Sequence, residues 1–90
     1  MSAETGLPLP AELTVYGADW CADCGRARRH LDARGVRYDY VDLDANPMAQ
    51  ARLDAAGIRA IPVVVTPDGR VLIEPSLFEL DAAIAGRPVA

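Results

Sequence analysis

Short apolar runs alternate with helical patterns in the first half of the chain. A β-rich run predicts a first strand over Glu12–Tyr16, which Gly17 and Asp19 close. Apolar or small residues then recur at helical spacing over Ala22–Arg34, and Gly35 follows at the place where a glycine commonly ends a helix. The chain therefore opens with a strand and a helix.

The next stretch has the pattern of a second strand and a second helix. Val36–Asp42 largely alternates apolar and polar residues, which is typical of a strand with one buried face. Asn46 can cap the following helix, and Pro47 suits its first position, so we expect a helix over Pro47–Ala56. Gly57 lies just past the predicted end of this helix.

The last third predicts a hairpin and a final helix. Val63–Val65 is a continuous apolar run of the kind that is buried on both faces of a sheet. Pro67–Gly69 forms a turn signal that leads into a second apolar run, Val71–Ile73. Ser76 with Glu79 three residues later is a capping box, which opens a last helix with one apolar face. The predicted order is βαβαββα.

Composition and charge limit the function. Ninety residues with 51% hydrophobic content suffice for one domain, which we expect over residues 11–90 behind a flexible lead-in, Met1–Pro10. A net charge of −4, with nine arginines and no lysine, offers no basic stripe for nucleic acid. No segment has the roughly 20 apolar residues that a membrane span needs, and the start of the chain lacks a leader pattern. We therefore expect a cytoplasmic protein without nucleic acid or membrane as partner.

Two cysteines, Cys21 and Cys24, lie where the first predicted helix begins. They close almost no loop and would make a poor disulfide staple, so their spacing points to redox chemistry. Cys21 would lie among free N–H groups at the positive end of the helix dipole, which stabilises a thiolate and makes it the candidate nucleophile. Cys24 would be less exposed and could attack the mixed disulfide as the resolving thiol. A zinc site would need about four ligands, and only His30 adds a nitrogen donor, while two ordinary core cysteines remain the other alternative.

The order of elements and several short motifs resemble a known family. The motifs are Val15-Tyr16, Trp20-Cys21-Ala22-Asp23-Cys24, Ile61-Pro62-Val63, Asp68-Gly69 and Pro75-Ser76. The chain is similar to the glutaredoxin branch of the thioredoxin-fold redoxins, and within it to the mycoredoxins of actinobacteria. The resemblance implies an α/β fold with a four-stranded mixed sheet flanked by three helices. It also implies a cis Ile61–Pro62 bond facing the cysteines, with the backbone of Ile61 offered to substrate.

Departures from related redoxins narrow the expected reductant. Typical thioredoxins have a buried aspartate where this chain has Val15, and a glycine where it has Ala22. Common glutaredoxins hold glutathione with a basic residue before the cysteines and a Gly-Gly-x-Asp segment. This chain has Ala18 and Asp19 at the first of those places and Glu74–Ser76 at the second. We therefore expect mycothiol, a neutral sugar-linked thiol, as the reductant in preference to glutathione.

Further side chains near the cysteines complete the predicted site. The predicted substrate-binding residues are Trp20, Ala22, Asp23, Ile61, Pro62 and Ser76. Trp20 would form an exposed apolar wall, and Asp23 would either stabilise the helix start or disfavour the thiolate of Cys21 by its charge. Ser76 is chiefly a cap that could also hold a polar group of the thiol. We expect His30 on the protein surface, and Arg26, Arg28 and Arg29 on a solvated helix face.

The resemblance implies a thiol–disulfide oxidoreductase that reduces protein disulfides or mixed disulfides with a small thiol. Its expected partners are disulfide-containing or thiolated proteins, the low-molecular-weight thiol and an NADPH-dependent disulfide reductase. We expect a monomer with no tightly bound cofactor and no metal. One alternative is an electron donor to ribonucleotide reductase that thioredoxin reductase recharges, which shares the Pro62–Val65 segment. The other is a glutaredoxin that shares an iron–sulfur cluster between the Cys21 residues of two chains.

Overall fold

The computed structural model describes residues 7 and 9–85, along which helices and strands alternate. The elements are β1 (Leu13–Gly17), α1 (Ala22–Ala33), β2 (Tyr38–Asp42), α2 (Pro47–Ala55), β3 (Val63–Val65), β4 (Val71–Ile73) and α3 (Leu77–Ala85). The predicted βαβαββα order is confirmed. Strand β1 continues one residue past its predicted end, to Gly17, and β2 begins two residues later than predicted, at Tyr38. None of these helices combines the length and apolar character that crossing a membrane requires.

The strands form one mixed sheet in the order β2-β1-β3-β4. Strands β1 and β2 are parallel, whereas β3 pairs antiparallel with both β1 and β4. A parallel pair needs a crossover connection, and α1 supplies it. Because α1 follows β1 after a short loop, its first turn lies at the carboxyl end of β1, next to the amino end of β3. This arrangement places the two cysteines at that edge of the sheet.

Each face of the sheet buries its own apolar cluster. Helices α1 and α3 cover one face, where the buried residues are Leu13, Val15, Ala27, Leu31, Val36, Val64 and Leu80. Helix α2 covers the other face, where they are Leu7, Tyr16, Leu43, Ala49, Leu53, Ile58, Val63 and Val65. Strand β3 contributes to both clusters, as its continuous apolar run predicts. Within the expected lead-in, residues 1–6 and 8 lie outside the described residues, while Leu7 is buried in the second cluster.

The helix starts agree with the predicted capping pattern at one site and differ at another. At α3, the Ser76 hydroxyl accepts the backbone N–H of Glu79 at 3.0 Å, and the Glu79 carboxylate accepts the N–H of Ser76 at 2.8 Å, so the capping box is confirmed. At α2, Asn46 occupies the N-cap position, but its side chain makes no capping hydrogen bond. The Asn46 amide instead donates to the backbone carbonyl of Asp42 at 2.8 Å, which stabilises the preceding turn.

His30 joins α1 to α3, and its predicted place on the open surface is wrong. Its side chain is only 15% exposed, and Nε2 lies 2.7 Å from Oδ1 of Asp81 on α3. Arg34 donates to the other oxygen of the same carboxylate at 3.1 Å. The spacing along α1 gives no indication of a helix packed beside it, so this contact depends on tertiary structure. The result is a polar link between the helix that bears the cysteines and α3.

Candidate active site

Cys21 occupies the N-cap of α1, where the chain turns from β1 into the helix. Its backbone is extended, with φ −85° and ψ 112°, and its Sγ accepts the backbone N–H of Cys24 at 3.2 Å. The N–H of Cys21 itself donates to the carbonyl of Ala18 at 3.1 Å, which fixes the turn. The side chain is half-buried and open to solvent on one side. A thiolate at this position is stabilised by the helix dipole and by a direct N–H donor.

Cys24 lies one helical turn further on and faces the core. It is 1% exposed and shares the buried stripe of α1 with Ala27 and Leu31. Burial and the hydrogen bond with Cys21 raise the pKa of Cys24 from 9.0 to about 12. The buried sulfur is therefore held as a neutral thiol. The two thiols therefore have opposite environments, because Cys21 lies at the open end of α1 and Cys24 lies one turn inside the helix.

A groove of about 220 Å³ runs beside the start of α1. Asp23 and Arg26 line it on the helix side, while Pro62, Glu74 and Ser76 line it on the other. The backbone N–H of Glu74 donates to the carbonyl of Pro62 at 2.8 Å and joins the end of β4 to the segment before β3. The Ile61–Pro62 bond is cis, as the resemblance implied. The structure thus brings three predicted site residues, Asp23, Pro62 and Ser76, into one groove.

The groove carries more negative than positive charge. The Arg26 guanidinium contacts the Asp23 carboxylate, so these two charges balance each other. Within residues 9–85, no cation forms an ion pair with Glu74, whose backbone is left-handed with φ 48°.

Over the same part of the chain, no group of three or more histidine, cysteine, aspartate or glutamate side chains could hold a metal ion.

Trp20, Ala22 and Ile61 do not line this groove. Trp20 is 74% exposed, as predicted, and its indole N–H donates to Oδ2 of Asp44 at 3.0 Å in the loop after β2. Ala22 is exposed in the first turn of α1. The side chain of Ile61 packs against the apolar cluster beneath α2. The apolar surface of Trp20 therefore adjoins Cys21 in the sequence but lies outside the groove.

Contacts among Asp19, Arg28 and Tyr40 hold the loop between β1 and α1. The Tyr40 hydroxyl donates to Oδ1 of Asp19 at 3.3 Å, and the Arg28 guanidinium lies 3.6 Å above the Tyr40 ring. Burial and the nearby Asp19 carboxylate raise the pKa of Tyr40, which keeps its hydroxyl as a donor. The Arg28 side chain is 37% exposed, so it lies on a partly solvated face of α1 and also stacks on the ring. Both Asp19 and Trp20, the residues before Cys21, thus have fixed partners.

Gly17 is the residue near the thiols that sequence reasoning missed. It was expected only to end the first strand, but it is buried and belongs to β1. A Cβ atom at this position would lie 2.8 Å from Sγ of Cys24 and 3.4 Å from Cε1 of Tyr40. The signal was present in the alternation Leu13, Val15, Gly17, which puts a glycine where the next core-facing side chain belongs.

Comparisons with known proteins agree with this geometry. The glutaredoxin family model matches residues 13–72. A Mycobacterium tuberculosis protein that is named as a glutaredoxin is 35% identical over 78 residues, which cover 84% of this chain and 93% of that protein. The glutaredoxin-like protein NrdH of Salmonella typhimurium is 34% identical over 56 residues, covering 62% of this chain and 69% of that protein.

Solved structures show the same fold. The glutaredoxin-like NrdH-redoxin from Escherichia coli superposes with a TM-score of 0.69 at 28% identity, covering 87% of this chain and 97% of that one. A glutaredoxin from Archaeoglobus fulgidus gives a TM-score of 0.71 at 24% identity over 84% of this chain and 88% of that one, which supports the fold alone. With a CxxC at the start of α1, the chain belongs to the glutaredoxin family of thiol–disulfide oxidoreductases.

Proposed function

We propose that Cys21 is the nucleophile and Cys24 the resolving thiol of a dithiol redoxin, which reduces protein disulfides and mixed disulfides with a small thiol. The observation that carries this proposal is the contrast between the two sulfurs. Cys21 is reachable from solvent at a helix N-terminus. Cys24 is 1% exposed, and its pKa is raised to about 12. Only Cys21 combines thiolate stabilisation with access to a substrate.

The two roles give a balanced reaction. The Cys21 thiolate attacks one sulfur of the substrate disulfide, forms a mixed disulfide and releases the first substrate thiolate. Cys24 then loses its proton and attacks Sγ of Cys21, which forms the Cys21–Cys24 disulfide and releases the second substrate thiol. Two electrons pass from the protein to the substrate. Because the hydrogen bond and charge of Cys21 contribute to the raised pKa of Cys24, that pKa falls once Cys21 is in the mixed disulfide.

Serine variants of the two cysteines test these roles. We expect Cys21→Ser to lose all turnover. We expect Cys24→Ser to accumulate mixed disulfides with protein substrates and to retain turnover of small-thiol adducts, because only protein disulfides require a resolving thiol. Mass spectrometry of trapped adducts and turnover with both substrate types measure the difference. Turnover of small adducts by Cys21→Ser, together with an inactive Cys24→Ser, contradicts the assignment.

The groove supports a neutral small thiol, mycothiol, as the reductant. Glutathione carries two carboxylates, and Arg26 is already paired with Asp23. Glu74 adds an uncompensated negative charge, and Pro75 has no backbone N–H to offer a carboxylate. Binding glutathione here would bring like charges together. A neutral thiol has no such cost, while Ser76 at the groove offers a hydroxyl for its polar groups.

Three recycling systems test the choice of reductant. NADPH oxidation is measured at equal redoxin concentration with mycothiol and its reductase, with glutathione and its reductase, and with thioredoxin reductase alone. We expect the mycothiol system to be at least about tenfold faster than the glutathione system, a difference of about 1.4 kcal/mol in transition-state stabilisation. Efficient turnover with glutathione contradicts this choice but leaves the cysteine roles standing.

A second candidate function is that of an NrdH-type electron donor. The Escherichia coli NrdH-redoxin, which is described as having a thioredoxin-like activity profile, matches this chain over 97% of its own length. If this chain has the same function, thioredoxin reductase alone recharges it and neither small thiol is needed. The third arm of the recycling experiment distinguishes the two functions.

A further inference from the structure

We propose that Gly17 is a positioning residue that sets the rate at which Cys24 resolves a mixed disulfide on Cys21, and thereby the balance between dithiol and monothiol reactions. This inference rests on the proposed roles of the two cysteines. It assigns a function to a residue that contacts neither substrate nor the attacking sulfur of Cys21.

Cys24 lies in a narrow slot that Gly17 keeps open. A Cβ atom on Gly17 would approach Sγ of Cys24 to 2.8 Å and its Cβ to 3.1 Å. Carbon and sulfur atoms pack at optimal separations of about 3.5 to 4.0 Å, so a methyl group here must displace a neighbour by at least about half an ångström. Cys24 is 1% exposed, so its side chain is enclosed by other protein atoms.

Gly17 is required for space and not for its backbone conformation. It is the last residue of β1, in register with Asp42 of β2, and its φ is not among the left-handed values found at Gly35, Gly57 and Gly69. Any residue can adopt this backbone. The carbonyl of Gly17 also accepts the N–H of Leu43 at 2.9 Å, so the end of β1 is hydrogen-bonded to the chain at the end of β2. An added methyl group therefore meets the side chain of Cys24 first.

The other wall of the slot is also fixed. Cε1 of Tyr40 would lie 3.4 Å from the same added carbon. The Arg28 guanidinium stacks on this ring, and Asp19 accepts its hydroxyl. The added carbon therefore meets a held ring on one side and the sulfur of Cys24 on another. A displacement of Sγ of Cys24 changes its distance and angle to Sγ of Cys21, the atom that it must attack.

Such a shift affects only the second step of the reaction. The attack on Sγ of Cys21 must be aligned to form a bond of about 2.05 Å with a dihedral angle near 90°. A misplacement of about 1 Å can reduce the rate of an aligned intramolecular reaction by about a hundredfold. The first attack uses only Cys21, which lies outside the slot. A side chain at position 17 should therefore slow the attack by Cys24 and leave the rate of the first attack, by Cys21, unchanged.

A chromogenic aromatic disulfide, dithionitrobenzoate, reports both steps in one experiment. The Cys21 thiolate attacks it, forms a mixed disulfide and releases one coloured thiolate, in a phase whose rate increases with reagent concentration. Cys24 then loses its proton, attacks Cys21 and releases the second coloured thiolate, in a phase independent of reagent concentration. Stopped-flow absorbance resolves the two phases.

In Gly17→Ala we expect the second phase to slow by at least about tenfold while the first phase stays within about twofold of the wild type. The matched control is Gly25→Ala in α1, where an added Cβ meets only the flexible guanidinium of Arg29 at 3.2 Å. Both phases should be unchanged in this control. Two unchanged phases in Gly17→Ala, or an equal slowing of both, overturn the proposal.

A second variant keeps the test valid if Gly17→Ala does not fold. Tyr40→Val removes the ring edge and widens the slot, so Gly17→Ala is also made in that background and compared with Tyr40→Val alone. The second phase should be slower in the double variant, by a smaller factor than in the wild-type background. Equal second phases in these two variants overturn the proposal.

The same traces distinguish a failure of the cysteine roles. If Cys21→Ser still shows the concentration-dependent phase, or Cys24→Ser still shows the second phase, the assignment of nucleophile and resolving thiol is wrong. If both serine variants behave as assigned while Gly17→Ala is unaffected, only the role of Gly17 is wrong. Thermal unfolding of each variant, monitored by circular dichroism, confirms that the measured proteins are folded.

Discussion

The surroundings of Cys21 and Cys24 differ, although the two residues are only three positions apart in the chain. Cys21 lies at the N-cap of α1, directly after the exposed Trp20 and two residues before Asp23, which lines the groove. Cys24 lies in a closed slot behind it, against the backbone of Gly17. The first region is polar, charged and reachable, whereas the second is apolar and fixed. The CxxC spacing places one sulfur in each region because three residues span about one turn of a helix.

This difference explains how identical side chains acquire different chemistry. A thiolate is stabilised where helix N–H groups point at it and destabilised where water is excluded. Substitutions near Cys21 should therefore change which substrates bind without changing the rate of resolution by Cys24. Substitutions in the slot should change that rate without changing which substrates bind. Variants that affect only one region test this separation.

The largest expected effect concerns the stability of the reduced protein at high pH. In the unfolded chain Cys24 ionises near pH 9.0, and in the folded protein near pH 12. Above pH 9 the unfolded state loses this proton while the folded state keeps it, so stability falls as the pH rises. The difference in unfolding free energy between wild type and Cys24→Ala should shift against the wild type by about 2 kcal/mol between pH 8 and 10.5.

Urea unfolding of the reduced proteins without oxygen measures this shift. Cys21→Ala provides the matched comparison, because it removes the hydrogen bond that is the second cause of the raised pKa of Cys24 but leaves the burial that is the first. The pH-dependent loss should become smaller in Cys21→Ala without disappearing. A pH dependence that is unchanged in Cys24→Ala contradicts the buried, neutral thiol.

A smaller effect is expected from Trp20 in the open region. Trp20→Ala should lower kcat/KM for protein disulfides by about three- to tenfold, because an exposed indole held by Asp44 offers apolar contact area at a docking surface. Turnover of small mixed disulfides should change by less than about twofold. Leu9→Ala is the control, since Leu9 is also exposed but precedes β1 at its other end. An equal loss for both substrate types contradicts a docking role for Trp20.

The smallest effect is expected from the charge of the groove. Glu74→Gln should raise glutathione-driven turnover by about two- to threefold and leave mycothiol-driven turnover unchanged, because exposed charges interact by only about 0.2 to 1 kcal/mol. The gain should shrink at high salt. Glu12→Gln is the control, because Glu12 carries the same charge but lies near Arg37, outside the groove. A similar gain in the control indicates a general charge effect.

The fold could be predicted from local patterns, since each element has a strong local signal. Val63–Val65 is apolar throughout because both faces of β3 are covered. Ser76 and Glu79 form their reciprocal bonds within one helical turn. Asn46 shows the limit of this reasoning, because a capping residue also has other partners nearby and here bonds to Asp42.

The site could be predicted only where its residues belong to short contiguous motifs. Cys21, Cys24 and the cis Ile61–Pro62 bond belong to short motifs that the sequence displays. The bond between His30 and Asp81 joins residues far apart in the sequence, so no periodicity in α1 could indicate it. Gly17 was predictable in part. The alternation along β1 indicates that it faces the core, but only the packing of α1 shows that Sγ of Cys24 occupies the space where a side chain would lie.

Limited alkylation of the reduced protein tests the central claim most directly. At pH 8 a thiol with a pKa near 12 is ionised in roughly one molecule in ten thousand, and Cys24 is also shielded from solvent. With one equivalent of iodoacetamide, fragmentation mass spectrometry should therefore place the carboxamidomethyl group on Cys21 and leave Cys24 unmodified. Alkylation of Cys24 at a comparable or greater rate contradicts the division of roles between the two cysteines.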